Sequence, residues 1–447
     1  MSISVKNAGG GGSKGIGNAN EARCYTVEPV EENSFVAVES KYSESIGVFS
    51  TTGQSCNTAV PVCNGEFVLT QSSDTFALIR STAYEEYIVE NTITVPFDSV
   101  TSKNVFCGKM VKLDEYTVGV ICRYTDTTPV FFVTLLKINR DHTISATLSS
   151  NTVQVSTNLA GSLSDTTGTE IDNAHMVIFY IFGNNLYAIP VDVSDESPKL
   201  GNSTKCYKDS MESYYYPCCV CVDEKYVVVA TQANRSGMRV QFMSGVYDKN
   251  SNTISMGGTG LTAINEWLIS NFGTTHLPAG MVYDAGKRQL LLLLYNTVSG
   301  SYGVRVASFS IDTDGNINSI SYGYQMPVYS NGSRTSCTIA TIIPGRLHAV
   351  YYRYDSTQIY IRLFENMDFN YDATTRSYGV GLLRKSSSYS SFSGLLIYAF
   401  GRLLISLTLN MSKDMFYLKP PAAGLLDCGV VYKGSGGYDT VPIAVPK

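Results

Sequence analysis

The chain has 447 residues, of which 44% are apolar and 16% charged, with 38 Gly and 14 Pro; this composition excludes wholesale disorder and a collagen-like repeat. The formal net charge is −5 and no basic run occurs, which argues against a non-specific nucleic-acid surface. The longest apolar run, Leu290–Tyr295, is far short of the roughly 18 residues that a membrane-spanning helix needs.

In chain order, residues 1–20 come first and differ from the rest. Gly9–Gly12, Gly15 and Gly17 make this segment a flexible arm that buries little. It lacks the apolar stretch of a signal peptide, so synthesis in the cytosol is the expectation. Gly10, Gly12 and Gly15 satisfy GxGxxG, but no helix follows them, so a dinucleotide site is not expected.

Residues 21–447 read as one domain built almost wholly of strands. After strands within 24–50, hairpins recur as strand, tight turn and very apolar strand. They are VCNGEFVLTQ (62–71), KMVKLDEYTVGVICRY (109–124), HMVIFYIFGNNLYAIPV (175–191), PCCVCVDEKYVVVATQ (217–232), AGMVYDAGKRQLLLLLY (279–295), CTIATIIPGRLHAVYYRY (337–354) and GLLIYAFGRLLISLTL (394–409). A more polar second hairpin with an Asp/Asn-rich turn follows several of them, at 131–146, 240–256 and 303–321. Two hairpins per unit make a four-stranded antiparallel blade, and repetition over more than 300 residues predicts a single β-propeller. Seven blades fit the turns best; the irregular spacing around residue 184 leaves six or eight open. Strands of 24–50 are expected to close the ring against the C-terminal segment, leaving no open sheet edge. One helix is predicted, over 261–272, with Thr262 as cap and Ile264, Leu268 and Ile269 on its buried face.

The chemistry-bearing residues point away from catalysis and from metal or cofactor binding. Eleven cysteines are spread along the chain without a disulfide framework or ligand spacing; Cys218, Cys219 and Cys221 lie in an apolar strand that aims the last two at one face. The histidines are scattered among units. His348 falls on an apolar strand as a satisfied core residue, and His142 sits in a turn, solvated. SIDTDGNI (310–317) has too few spaced oxygen ligands for a calcium loop and reads as a hairpin turn. Carboxylate pairs of a glycosidase are set by spatial separation, which sequence does not give.

Tyrosine is the compositional outlier, with 31 Tyr against 18 Phe and one Trp. Several fall where the second strand of a unit ends, on the same face as the blade-to-blade connections. Flat, polar-tipped rings suit saccharide or protein recognition, so the candidate ligand face carries Tyr42, Tyr124, Tyr215, Tyr295, Tyr302, Tyr354 and Asp355. The opposite face, with turns such as Asp114–Glu115, Asp223–Lys225 and Gly345–Arg346, is expected to offer little anchoring area.

The short MSISVKNAGGGGSKG arm, followed by a Tyr-, Ser- and Thr-rich all-β body without a signal peptide, resembles tail-associated proteins of bacteriophages. That resemblance implies a non-enzymatic virion protein that binds a host surface glycan or protein, with the arm attached to other tail proteins. A structural tail ring or nozzle forming a homo-oligomer is the alternative, and a glycan hydrolase on a propeller the second.

Overall fold

The computed structural model describes the backbone of 35 strands and one helix between Ile3 and Val445. Side chains are described mainly for residues 59–63, 66–70, 74–80, 90–95, 109–123, 130–149, 166–195, 197–206, 214–233, 239–257, 261–298 and 302–322, with a few positions from 337 to 364. The strands form eight antiparallel sheets, each with a four-strand hydrogen-bonded path. In six sheets, spanning residues 59–94, 104–154, 166–205, 213–256, 276–327 and 337–385, the path follows the chain. In a seventh, Phe392–Ala399, Arg402–Leu409 and Ser412–Leu418 are joined by Ser43–Ser50 from the other end of the chain. The eighth holds Asn20–Thr26 between Ile3–Val5 and Thr440–Val445, so part of the expected arm is a strand. Gly10, Gly12 and Gly15 lie outside the described residues.

The unbroken apolar runs of the middle strands follow from burial on both faces. Along Gln289–Asn296, Leu290, Leu292 and Leu294 join the core shared with the preceding sheet, while Leu291, Leu293 and Tyr295 join the core shared with the following one. Val228 and Ala230 part from Val227 and Val229 in the same way, as do Val177 and Phe179 from Met176 and Ile178. Successive side chains of a strand point to opposite faces, so a strand sandwiched between two sheets has no solvated face, and the polar residues it carries, such as Thr231 and Gln232, are buried. The first strands touch in sequence order, from Ala59–Pro61 through Asn104–Lys112, Thr166–Asp172, Ser213–Val222, His276–Asp284 and Cys337–Ile343 to Phe392–Ala399, which touches Ala59–Pro61.

Two expectations about exposure need correction. The third strands, such as Val130–Ile138 and Gly303–Ile311, are nearly as buried as the second, and among the described strands it is fourth strands such as Ile317–Tyr322 that alternate with solvent. The first strands are not uniformly buried either: His276–Asp284 has five partly exposed positions among nine. The helix spans Leu261–Phe272 as the sequence predicts, but Thr262 lies inside its first turn and Ile269 is 39% exposed; Phe272 takes its place beside Ile264 and Leu268. Asn265 fixes the helix to the adjacent strand, with Nδ2 donating to Phe242 O and Oδ1 accepting from Phe242 N.

At or near the turn between first and second strands, carboxylates brace several of the described sheets to a neighbour. Asp284, fully buried, accepts at Oδ1 from Gly286 N at 3.0 Å and from Gly345 N of the following sheet at 2.5 Å. Asp223 takes two hydrogen bonds from the Arg288 guanidinium, at 3.1 and 2.6 Å, across the preceding boundary. Asp172 binds Lys249 at 2.7 Å, and buried Glu66 binds His142, so His142 is paired rather than free. Gly286 presses on Gly345: a Cβ there would meet Gly345 N at 2.4 Å. Asp312 Oδ1 accepts from Asp314 N and Asn316 N, and Gly315 has φ +83°, which makes 310–317 the hairpin turn expected of it. The cysteines of Ser213–Val222 divide as predicted, Cys219 and Cys221 facing one core and Cys218 the other, and burial pushes the Cys219 thiol up to about 12.

His348 is completely buried, but it is only half satisfied. Its Nδ1 lies 3.3 Å from Thr341 Oγ1, and its Nε2 lies 3.4 Å from Asp284 Oδ2 without a hydrogen bond among the described residues. Burial lowers its pKa to about 4, against the opposing pull of Asp284.

Three outcomes test this packing. Leu291→Asp and Leu292→Asp should each unfold the chain or cut its melting temperature sharply although they face opposite cores, because each buries an unpaired carboxylate; a mild effect of either would mean that one face is solvated. Gly286→Ala should cost about 1–3 kcal/mol in denaturant unfolding by forcing two backbones apart. His348 binds a proton more weakly in the folded chain than at its ordinary 6.5. Its contribution is therefore complete above about pH 6.5 and is lost as pH falls toward about 4. Urea midpoints should fall over that window, and His348→Gln should flatten the dependence.

Candidate functional site

A cavity of about 660 Å³ opens at the turn end of the first strands. Four successive sheets line it. Leu113 comes from just beyond Asn104–Lys112, Thr169–Asn173 from Thr166–Asp172 and its turn, Cys219–Cys221 with Asp223 and Glu224 from Ser213–Val222 and its turn, and Met281–Tyr283 from His276–Asp284. Partly exposed positions of these first strands, such as Thr169, Cys221 and Val282, thus border this cavity.

The lining carries four carboxyl groups in unlike environments. Glu170 is exposed to the cavity; the protein packed about it still pushes its carboxyl above the usual range, against the pull of Lys112. Burial acts on Asp172 in the same direction, but hydrogen bonds from Lys249 Nζ, Ala174 N and His175 Nδ1 outweigh it and hold that carboxyl low. Asp223 is held by Arg288, and Glu224 is exposed beside it. Burial also pushes the Tyr283 hydroxyl up, with the Asp223 charge acting in the same sense. Asp223 and Glu224 have positive φ, 54° and 52°, so the turn that presents them is tightly bent. Chemically, the cavity offers hydrogen-bond acceptors, one carboxyl that protonates more readily than the rest, and the ring of Tyr283. Among the described residues, no group of three metal-ligating side chains is found.

Of the residues that sequence reasoning selected, the three with described side chains, Tyr215, Tyr295 and Tyr302, are not among those that line this cavity. Tyr215 is at the far end of Ser213–Val222, some seven residues or roughly 23 Å from the turn, half-buried beside a bulge and 6.1 Å from the ring of Tyr216. Tyr302 is partly buried against the core that includes Tyr295. Tyr295 itself is 4% exposed, with its hydroxyl pushed up to about 12 by burial. It is a packing residue, because the alternation that carries Leu291 and Leu293 inward carries Tyr295 with them. Tyr42, Tyr124, Tyr354 and Asp355 fall outside the residues whose side chains are described. The signal that was overlooked is the acid repeated at the first turn of successive units, as Asp114, Asp172, Asp223 and Asp284.

No protein-family model matches the chain, and no curated protein matches it. Among solved structures, an ulvan lyase representing a new family of polysaccharide lyase aligns over 88% of this chain and 96% of its own, with a TM-score of 0.52 and 10% identity. The same lyase bound to -[GlcA(1-4)Rha3S]- aligns equally well. A lectin from Burkholderia pseudomallei covers 81% of this chain and 97% of its own at 9% identity, with a TM-score of 0.47. The fold is a β-propeller. Four-stranded antiparallel sheets packed face to face in sequence order are its defining arrangement, and the cavity is lined by the first strands and first turns of four of them.

These environments give a direct test. In a carboxylate titration followed by carbon NMR, Glu170 should protonate at higher pH than Asp172, and Lys249→Ala should raise the Asp172 value. Coincident titrations in the wild type would show that the two carboxyl groups share one environment.

Proposed function

We propose that this chain is a seven-bladed propeller, its last blade completed by Ser43–Ser50, that binds a glycan without covalent chemistry in the cavity at the turn end of its first strands. The blade count is supported by the succession of first-strand contacts that returns from Phe392–Ala399 to Ala59–Pro61. The observation that carries the binding reading is the cavity itself. It is of ligand size, lies where the channel opens, and is bordered by carboxyl groups and the ring of Tyr283, groups suited to sugar hydroxyls and to a sugar face. The likeness to a polysaccharide lyase is in keeping with this reading.

The resemblance to phage tail proteins extends the proposal to host attachment from a virion, the ligand then being a glycan of the cell surface. Glycan cleavage is a second reading, favoured by one observation: a carboxyl held above the usual range stands in the same cavity as one held below it, the pairing that acid–base chemistry on sugars uses.

A glycan array followed by calorimetry on the strongest hit tests the binding site. Thr169→Phe, which fills the cavity, should weaken binding at least tenfold, whereas Tyr215→Ala combined with Tyr302→Ala should leave it unchanged. The reverse pattern would move the ligand to the opposite face. Product formed from the bound glycan, and abolished by Glu170→Gln, would establish cleavage.

A further inference from the structure

The charge on the cavity wall has one sign. Glu170, Asp172, Asp223 and Glu224 line it, and Lys, Arg and His are missing from its lining residues. Two of these charges are spent on holding the sheets together, Asp172 on Lys249 at 2.7 Å and Asp223 on Arg288 at 2.6 Å. Among the described residues no ion pair neutralises Glu170 or Glu224. Lys112, the nearest cation acting on Glu170, gives its own ion pair to Glu115 at 2.8 Å. Lys249, committed to Asp172, acts on Glu224 only as a more distant charge, so the wall is left with two carboxyl groups outside any direct ion pair. Both are exposed to the cavity, so an anionic ligand would meet like charge there, a repulsion that rising salt screens.

We infer, resting on the reading of the cavity as a glycan site, that it selects by charge: it takes amino-bearing sugar chains first, neutral ones second, and rejects chains carrying uronate or sulfate, with Glu170 as the specificity-determining residue. An ammonium group near Glu170 and Glu224 gains an ion pair, and a neutral sugar offers hydroxyls that donate to the same oxygens. A uronate presents only acceptors to a wall of acceptors. The selectivity is a difference between affinities, produced here by repulsion of the wrong ligand as much as by attraction of the right one.

Three tetrasaccharides of matched length, a glucosamine oligomer, its N-acetylated form and a glucuronate oligomer, distinguish these classes by calorimetry at low and moderate salt. The expected order is amine, then neutral, then uronate, with at least tenfold between first and last and a ratio that shrinks as salt rises. Glu170→Gln should reduce that ratio several-fold while the melting temperature holds. Should that variant fail to fold, Glu224→Gln, at an exposed turn position, is expected to reduce the ratio in the same direction. Thr169→Phe should abolish the preference together with binding; an amine preference that survives in it would assign the selectivity to the acidic outer surface and overturn the inference. Uronate binding as tight as amine binding, or a ratio unmoved by the carboxyl substitutions, would overturn the charge selectivity while leaving the cavity a glycan site. Binding of none of the three, with no hit on a wider array, would overturn the glycan reading and this inference with it.

Discussion

Burial of both faces of the middle strands is the constraint from which the rest of this structure follows. A sheet with one solvated face tolerates a polar residue at every second position; Leu290–Leu294 and Val227–Ala230 have none, because each of these strands is pressed between two other sheets. These middle strands, and His175–Phe182 with them, belong to two cores at once, and the cores are joined through them. A change in one sheet is felt by both neighbours, which makes the assembly of sheets cooperative where separate domains would be independent.

Apolar faces fix how far apart sheets sit, but they do not by themselves fix how one sheet is rotated against the next. The carboxylates at the first turns supply that. Asp284 reaches the backbone of the following sheet at Gly345, Asp223 takes both arms of Arg288, and Asp172 takes Lys249. A hydrogen bond constrains direction as well as distance, and a buried carboxylate such as Asp284 cannot be left without donors. The close backbone approach at Gly286 and Gly345 follows from the same contact, since a side chain on Gly286 would force the two turns apart.

The cavity is a consequence of this bracing. Drawing the turns of successive sheets together places the ends of their first strands around one space, and residues adjoining the bracing acids, Glu170 and Glu224, are left facing it. Their neighbours Asp172 and Asp223 spend their charge on the fold. Acids of one chemical type thus serve two purposes a residue or two apart, and which purpose each serves depends on whether a cation from the next sheet comes within reach.

The sequence determined a good deal of this alone. Strand–turn–strand periodicity, the repeated hairpin and the contrast between very apolar and more polar strands gave the all-β class and the propeller architecture, because backbone pleat and two-sided burial are written directly into residue order. The helix at Leu261–Phe272 and the division of Cys218 from Cys219 and Cys221 were legible for the same reason: both depend on local periods. Burial facing was less so. Ile269 and Phe272 both belong to an apolar helix surface, and only the neighbouring strands decide which is covered. Tyr295 looked like a displayed ring because it ends a strand, yet the alternation it shares with Leu291 and Leu293 carries it into the core. The cavity was not readable at all. Its lining comes from four successive sheets, from Leu113 to Tyr283, and whether a carboxyl such as Glu170 faces an occupant or a cation depends on distances between sheets, which arise only when the tertiary structure brings their turns together.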